Sequence, residues 1–139
     1  MKRFEGKVVV ITGAGDGIGF QIAQSFAAEG ATSVVAEINE VAGKRAETAI
    51  IATGGKAFFV QTDVSDEAQV ERMVQTVLDH LGRIDVLINN AGVVVHVKIV
   101  DLPKEAWDRQ IAVQLTGPFL VSKHVARHMI ARGGDGKIV

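Results

Sequence analysis

A cluster of glycines directly follows the first apolar run of the chain, in the order Thr12-Gly13-Ala14-Gly15-Asp16-Gly17-Ile18-Gly19. A turn of this kind between a strand and a helix can bind a phosphate, because free backbone N–H groups and the positive end of the helix dipole converge there. The missing Cβ atoms also let a pyrophosphate approach the main chain. An ordinary tight connection is the alternative when such a turn stands alone.

The spacing of these glycines differs from the common dinucleotide fingerprint, which places glycines at its first, third and sixth positions. Counted from Gly13, the sixth position is Ile18. The pattern present is Thr-Gly-x-x-x-Gly-x-Gly, formed by Thr12, Gly13, Gly17 and Gly19. The turn therefore predicts a phosphate site of a variant type.

Two acidic residues indicate which dinucleotide this turn would prefer. Glu37 ends the second apolar run and follows Gly13 at close to the spacing, roughly 20 residues, at which a carboxylate accepts hydrogen bonds from the adenosine ribose. Glu37 would repel a 2′-phosphate, and Asp16 adds a second negative charge. Together they favour NAD(H) over NADP(H). A solvated residue at a strand end is the alternative for Glu37 alone.

Strands and helices alternate along the chain, as the periodicity of the apolar residues indicates. Strands are predicted at residues 8–11, 33–36, 57–61, 84–88 and 137–139, and helices at 17–29, 39–53, 65–81 and 103–131, with a β-rich loop at 93–100. Asn39 and Ser65 are the expected N-caps of the second and third helices. This alternation predicts an α/β protein with a Rossmann-type, doubly wound parallel sheet in three αβα layers and strand order 3-2-1-4.

Apolar residues spaced by four on two of the helices are expected to face the core. They are Ile18, Ile22 and Phe26 on the first helix, and Trp107, Ile111, Leu115 and Phe119 on the last. Pro118 is expected to kink the last helix, because proline removes one helical hydrogen bond. Since the chain stops as its fifth strand begins, residues 1–139 are expected to form one incomplete domain.

Two further motifs follow the third and fourth predicted strands, Asp63-Val64 and Asn89-Asn90-Ala91-Gly92. Asp63-Val64 alone could be a plain helix entry, but with the glycine turn and Glu37 the set resembles the short-chain dehydrogenases/reductases from Phe4 to Val139. The resemblance implies an oxidoreductase acting on alcohols or ketones with a nicotinamide cofactor. It implies that Asp63-Val64 holds adenine and that Asn-Asn-Ala-Gly lies beneath the ribose. The implied cofactor-binding residues are Gly13, Asp16, Gly17, Ile18, Gly19, Glu37, Asp63, Val64, Asn90, Ala91 and Gly92.

The catalytic residues of that family cannot be assigned in this chain. The resemblance implies a tyrosine, a lysine four residues later and a serine, yet the chain has no tyrosine and ends at its fifth strand. Gln114 stands where the family has an asparagine, and its extra methylene would displace the amide. A polar helix residue facing water is the alternative for Gln114. The chain as given is therefore predicted to be inactive alone.

The charge and the residue composition of the chain argue against several classes of function. A net charge of −1 with interleaved signs excludes a basic nucleic-acid or membrane-binding surface. The absence of cysteine, of a signal peptide and of an apolar span predicts a cytoplasmic protein. His124 and His128 lie four residues apart without a third ligand, so no metal site is predicted.

Three hypotheses follow. The first is the NAD(H)-binding portion of an oxidoreductase, which would take a small alcohol or carbonyl substrate only once completed by a missing part. The second is a non-catalytic dinucleotide-binding module or a half-domain that depends on a partner. The third is a relic without cofactor affinity. An unpaired sheet edge favours self-association, and a homo-oligomer is possible by family analogy.

Overall fold

The computed structural model describes residues 1–139, which form alternating strands and helices. The elements are β1 (Val8–Thr12), α1 (Gly17–Ala28), β2 (Thr32–Glu37), α2 (Glu40–Ala52), β3 (Lys56–Gln61), α3 (Glu67–Leu81), β4 (Val86–Ile88), α4 (Lys104–Ile111), α5 (Gly117–Arg132) and β5 (Lys137–Ile138). A short 3-10 turn occupies Ile99–Asp101, and a π-helical segment, Ala112–Thr116, joins α4 to α5. None of the helices combines the length and the apolar content needed to cross a bilayer.

The five strands form one parallel sheet in the order β3-β2-β1-β4-β5. The predicted order 3-2-1-4 is confirmed, and β5 adds to the outer side of β4 through the pairs Val86 with Lys137 and Leu87 with Ile138. Parallel strands align their carboxyl ends at one edge of the sheet, so the turns after β1, β2, β3 and β4 converge there.

Both faces of the sheet are covered, which confirms the three αβα layers. Val8 and Val10 of β1 pack with residues of α3 and α5, whereas Val9 and Ile11 pack with residues of α1 and α2. In a strand that is buried on both faces, every side chain lies in the core, so its sequence is a continuous run of apolar residues. This explains the unbroken run in β1.

The helix termini match the sequence with one exception. Asn39 caps α2 as expected, its side chain accepting a hydrogen bond from the N–H of Ala42. The prediction for Ser65 is wrong, because Asp66 caps α3 by accepting from the N–H of Gln69. Ser65 instead directs its hydroxyl to Asp63.

The predicted helix at 103–131 is interrupted. Residues 112–116 form a π-helix that runs directly into α5, and Pro118 is the second residue of α5. Because the preceding residues are helical, the missing N–H of Pro118 removes one helical hydrogen bond, as expected, at the point where the π-helix ends. A π-bulge inserts an extra residue into the turn and shifts the phase of the side chains that follow. The predicted β-rich loop at 93–100 contains no strand, and β4 is shorter than predicted, starting at Val86.

The apolar residues spaced by four do not all face the core as expected. Trp107, Leu115 and Phe119 are exposed to 48%, 66% and 60%, so this stripe faces outward both before and after the start of the π-helix. The buried positions of this region are Val113, Leu120, Val121, Val125 and Met129.

On α1, the side chain of Ile18 is also exposed, while Ile22 and Phe26 are only partly buried. The core-facing stripe of α1 is instead formed by Gly19, Ala23 and Ala27. Small residues in this stripe let the helix pack closely on the sheet.

Candidate nucleotide-binding site

The glycine turn connects the carboxyl end of β1 to α1. Gly13 and Gly17 have φ of 65° and 54°, a left-handed conformation that glycine adopts without strain. A Cβ on Gly13 would also lie 2.8 Å from the Cα of Ala91, whereas a Cβ on Gly17 would meet no atom within 4 Å. A side chain at position 13 would therefore cause both a steric contact and backbone strain, whereas a side chain at position 17 would cause backbone strain alone.

The first turn of α1 leaves two main-chain donors free. The N–H of Gly17 donates to the carboxylate of Asp16 at 2.8 Å. The N–H groups of Ile18 and Gly19 have no hydrogen-bond partner within the chain. Asp16 also lies 3.4 Å from the guanidinium of Arg45. Two free donors at the positive end of a helix are suited to an anion.

Thr12 and Asn90 hold the turn against the end of β4. The Thr12 hydroxyl oxygen accepts from the N–H groups of Asn90 and Ala91, each at 3.0 Å. The side-chain amide of Asn90 donates back to the carbonyls of Thr12 at 3.0 Å and Gly13 at 3.1 Å. Because every bond joins the turn to the loop after β4, Asn90 fixes the shape of the turn through its side chain.

Glu37, at the end of β2, lies across the glycine turn. Its carboxylate accepts from the N–H of Gly15 and from the N–H of Asn39, both at 3.0 Å. A Cβ on Gly15 would lie 2.7 Å from the Cγ of Glu37. Gly15 is therefore a site residue that the sequence motif did not single out, because its requirement comes from a side chain on another strand.

A cavity of about 350 Å³ lies at this carboxyl edge. Of the residues predicted to bind the cofactor, Gly13, Asp16, Glu37, Asp63, Val64, Asn90, Ala91 and Gly92 line it, and Gly17, Ile18 and Gly19 do not. The lining also includes residues that sequence reasoning missed, namely Ile38, Thr62, Val93, Val94, Arg109 and Val113. The last two come from the region of α4, where no local pattern marks them as site residues.

A larger depression, of about 720 Å³, lies on the outer side of α1 between Phe4 and Phe26. It shares Asp16 with the cavity at the carboxyl edge but lacks Glu37 and Asp63. Gly17 and Ile18 of the glycine turn line this depression rather than the cavity, whereas the carboxylates expected to contact ribose and adenine line the cavity.

Asp63 sits in the loop between β3 and α3. Its Oδ1 accepts from the N–H of Ser65 at 2.9 Å and from the Ser65 hydroxyl at 2.6 Å. Burial raises the pKa of Asp63, but the hydrogen bonds from Ser65 and the charge of Arg109 outweigh burial and hold the pKa below its usual value. Asp63 is therefore an ionised acceptor at neutral pH.

Val64 and Val113 supply apolar surface beside Asp63. Both are buried, at 6% and 4% exposure, and both line the cavity. A Cβ on Gly117 would lie 2.8 Å from the Cγ2 of Val64, so this glycine lets the start of α5 approach the loop after β3. The result is an apolar wall next to an ionised carboxylate.

Gln114 lies in the π-helical segment beside the loop after β4. Its side-chain oxygen accepts from the N–H of Val93 at 3.1 Å, although the residue is exposed. The longer amide therefore fastens this loop to the helix. The two histidines of α5 point to different partners, His124 to Glu67 at 3.0 Å and His128 to the N–H of Ile84 at 3.2 Å.

The doubly wound parallel sheet, with its glycine turn and acidic strand end at the carboxyl edge, defines a Rossmann-type αβα protein. The family model described as short chain dehydrogenase matches residues 7–139. The chain therefore belongs to the short-chain dehydrogenase family, whose members are oxidoreductases that use a nicotinamide cofactor. The resemblance inferred from the motifs is confirmed.

Three similar proteins are each about twice as long as this chain. An "Uncharacterized oxidoreductase" of Thermotoga maritima is 48% identical over 130 residues, which cover 94% of this chain and 51% of the relative. Galactitol 2-dehydrogenase of Agrobacterium fabrum is 42% identical over 99% of this chain and 52% of its own length. The crystal structure of NAD+-bound xylitol dehydrogenase is 36% identical, with a TM-score of 0.93 over 99% of this chain and 53% of that one. The chain spans about half the length of these relatives.

Proposed function

We propose that this chain is the NAD(H)-binding portion of a short-chain dehydrogenase. The cofactor-binding residues are those predicted from the sequence, Gly13, Asp16, Gly17, Ile18, Gly19, Glu37, Asp63, Val64, Asn90, Ala91 and Gly92, joined by Gly15. The similar xylitol dehydrogenase, whose structure contains bound NAD+, supports the choice of cofactor class.

The position of Glu37 carries the proposal. Its carboxylate lies at the glycine turn, 3.0 Å from the N–H of Gly15, and Asp16 lines the same cavity. Ribose hydroxyls can donate to carboxylate oxygens that already accept one bond, because each oxygen has further lone-pair capacity. A 2′-phosphate would meet two negative charges here. Arg45 is the nearby cation, and it is paired with Asp16.

The remaining groups fit the other parts of a dinucleotide. The free N–H groups of Ile18 and Gly19 suit the pyrophosphate. Asp63 and the apolar wall at Val64 suit the adenine ring. When bound, the nicotinamide supplies the hydride, and the residues of this chain bind and orient the cofactor.

We propose that hydride transfer requires catalytic residues in addition to the cofactor-binding residues of this chain. The chain contains no tyrosine, the residue that the family resemblance gives as the proton donor and acceptor. We therefore propose that a small alcohol or carbonyl compound is the substrate of the completed enzyme. Carbonyl-dependent oxidation of NADH by the purified 139-residue chain would contradict this.

The experiment is a parallel fluorescence titration of the chain with NADH and NADPH. We expect NADH to bind at micromolar concentration and NADPH at least tenfold more weakly. Glu37→Gln should reduce this preference, whereas Glu71→Gln, on the exposed side of α3, should leave it unchanged. Equal affinities for the two cofactors would overturn the NAD(H) assignment.

The same titration tests the second candidate, a half-domain that binds cofactor only with a partner. The exposure of Leu115 and Phe119 on the outer side of the last helices favours such a partner or a second copy of the chain. Absence of binding to both cofactors by a folded chain would favour this candidate over the autonomous module.

A further inference from the structure

The same tripeptide, Gly-Asp-Gly, occurs twice in the chain, at residues 15–17 and 134–136. An aspartate followed by glycine is prone to a spontaneous rearrangement of the main chain, because glycine has no side chain to hinder attack of its nitrogen on the neighbouring carboxyl group. Since the local sequence is the same at both places, a difference in their reactivity comes from the surrounding structure.

The first tripeptide is fixed by the start of α1. The Asp16 carboxylate caps the helix by accepting from the N–H of Gly17 at 2.8 Å, and it lies 3.4 Å from the guanidinium of Arg45. The Asp16 carbonyl oxygen accepts from the N–H of Phe20 at 3.1 Å. Attack of the Gly17 nitrogen on the Asp16 carboxyl carbon requires rotation of the Asp16 backbone, and that rotation would break these bonds and unwind the first turn.

The second tripeptide lies between α5 and β5, outside both elements. Asp135 and Gly136 are exposed, and the N–H of Gly136 has no hydrogen-bond partner within the chain. The single hydrogen bond of Asp135 is from Arg132 to its carbonyl oxygen, so its carboxylate has no partner within the chain. Gly133 and Gly134 precede it with φ of 73° and 83°. The segment therefore has few groups that would resist rotation at Asp135.

Arg132 adds a chemical reason for reactivity at the second tripeptide. Its Nη2 donates to the carbonyl oxygen of Asp135 at 2.9 Å. When the Gly136 nitrogen loses its proton, the negative charge is shared with that carbonyl oxygen, and a guanidinium on the oxygen stabilises the charge. The corresponding oxygen of Asp16 receives a neutral main-chain N–H instead.

We infer that Asp135 is a site of covalent modification, at which the main chain converts to an isoaspartyl linkage, and that the cap of α1 protects Asp16 from the same reaction. The inference concerns the chain itself and does not depend on cofactor binding.

The reaction has two steps and consumes nothing except water. In the first step the Gly136 nitrogen releases its proton and bonds to Cγ of the protonated Asp135 carboxyl group. The C–OH bond breaks, and the hydroxyl group leaves with the released proton as water, which closes a cyclic imide. In the second step water adds to the α-carbonyl carbon, the bond from that carbon to the Gly136 nitrogen breaks, and the nitrogen regains a proton. The main chain then passes through Cβ and Cγ of Asp135.

The product would alter the connection to β5. The main chain gains one atom shortly before Lys137, whose N–H donates to the carbonyl of Asp85 at 3.1 Å. The N–H of Val139 donates to the carbonyl of Leu87 at 2.9 Å. Because a longer connection no longer sets these residues opposite β4, both amides should exchange their hydrogens faster in the modified chain.

The test is incubation of the full 139-residue chain in mildly acidic buffer, followed by digestion and mass-spectrometric mapping of isoaspartate at both positions. We expect isoaspartate to accumulate at position 135 at least about tenfold faster than at position 16, because reaction at Asp16 requires opening of the helix N-terminus. In concentrated urea the two rates should agree within about twofold, because both tripeptides are then unfolded. Circular dichroism establishes that the chain in buffer stays folded during the incubation.

Asp135→Glu is the matched variant, because it keeps the charge at an exposed position. Its carboxyl group would have to close a larger ring, so isoaspartate-type rearrangement at position 135 should fall at least about tenfold while the rate at position 16 is unchanged. After incubation, faster hydrogen exchange at Lys137 and Val139 is expected in the unaltered chain and not in the variant.

Two results would overturn the inference. One is a ratio of the rates at positions 135 and 16 that is no larger in the folded chain than in urea. The other is formation of isoaspartate at both positions in urea and at neither in the folded chain, which would show that the segment between α5 and β5 is as well protected as the cap of α1. A failure of NADH to bind would contradict the proposed function alone.

Discussion

The amino and carboxyl ends of the sheet both contain polar groups, but these groups differ in how far they are paired within the chain. At the amino end, Asp85 is 5% exposed, and its carboxylate accepts from the N–H of Val8 and from the side chains of Arg83 and Arg132. At the same end, Nε of Arg132 is the one buried side-chain polar atom without a partner. At the carboxyl end, the N–H groups of Ile18 and Gly19 have no partner. The first N–H groups of a helix have no partner within the helix, and together with the positive end of the helix dipole they are suited to an anion.

The arrangement around Asp85 joins three parts of the fold. The distances are 2.9 Å to the Val8 N–H, 2.9 Å and 2.6 Å to Arg83, and 2.9 Å to Arg132. Burial raises the pKa of Asp85, but these hydrogen bonds outweigh burial and lower the pKa to about 2. The comparison therefore separates an end of the sheet that contributes stability from the end at which we propose that the cofactor binds.

The largest effect is expected from Asp85→Asn. The substitution leaves two arginines beside a neutral amide, and breaking a buried ion pair costs about 3 to 5 kcal/mol. Urea unfolding followed by circular dichroism measures the loss. Asp101→Asn, in the exposed 3-10 turn, is the matched control and should change the free energy of unfolding by less than about 0.5 kcal/mol. A loss below about 1 kcal/mol for Asp85→Asn would break the comparison.

Lowering the pH should reduce the free energy of unfolding, because it protonates groups at the amino end of the sheet. Since the folded pKa of Asp85 is lowered to about 2, its stabilisation is present above the unfolded pKa and is lost as pH falls toward 2, by about 2 kcal/mol. Burial and the charge of Arg132 lower the pKa of His128, so stability should also decline as pH falls below about 6.5. Urea unfolding at a series of pH values measures both effects, and His128→Gln should remove the second.

At the carboxyl end, the two glycines of the turn that have positive φ, Gly13 and Gly17, allow backbone strain to be separated from steric contact. Gly13→Ala would introduce both backbone strain and a contact with Ala91, and should cost about 2 kcal/mol or more and abolish NADH binding. Gly17→Ala introduces strain alone, about 1 kcal/mol. Thermal unfolding and NADH titration of both variants test this order. Equal losses would show that the contact with Ala91 is unimportant.

The smallest effect is expected from Gln114→Ala. The side chain makes one exposed hydrogen bond, to the N–H of Val93, so its loss should cost about 0.5 kcal/mol. Gln21→Ala, on the exposed side of α1, provides the baseline for a glutamine removed from a helix surface. A loss for Gln114→Ala as large as that for Asp85→Asn would remove the distinction between the two ends.

The sequence by itself determined the order of the elements and the family. The continuous apolar run in β1 and the glycine turn after it are local patterns, and local patterns require no knowledge of the rest of the fold. Glu37 and Asn39 could be placed for the same reason, since a strand end and an N-cap are defined by adjacent residues.

The tertiary structure decided which residues from distant parts of the chain contact these motifs. Arg109 and Val113 reach the cavity because α4 and the π-helix pack next to the loop after β3. A Cβ on Gly15 would meet Glu37 and Ala42, which belong to β2 and α2. The apolar spacing also did not reveal the π-helix that interrupts the last helical segment. Spacing along the chain specifies the local conformation, whereas contacts between distant segments depend on how the helices pack on the sheet.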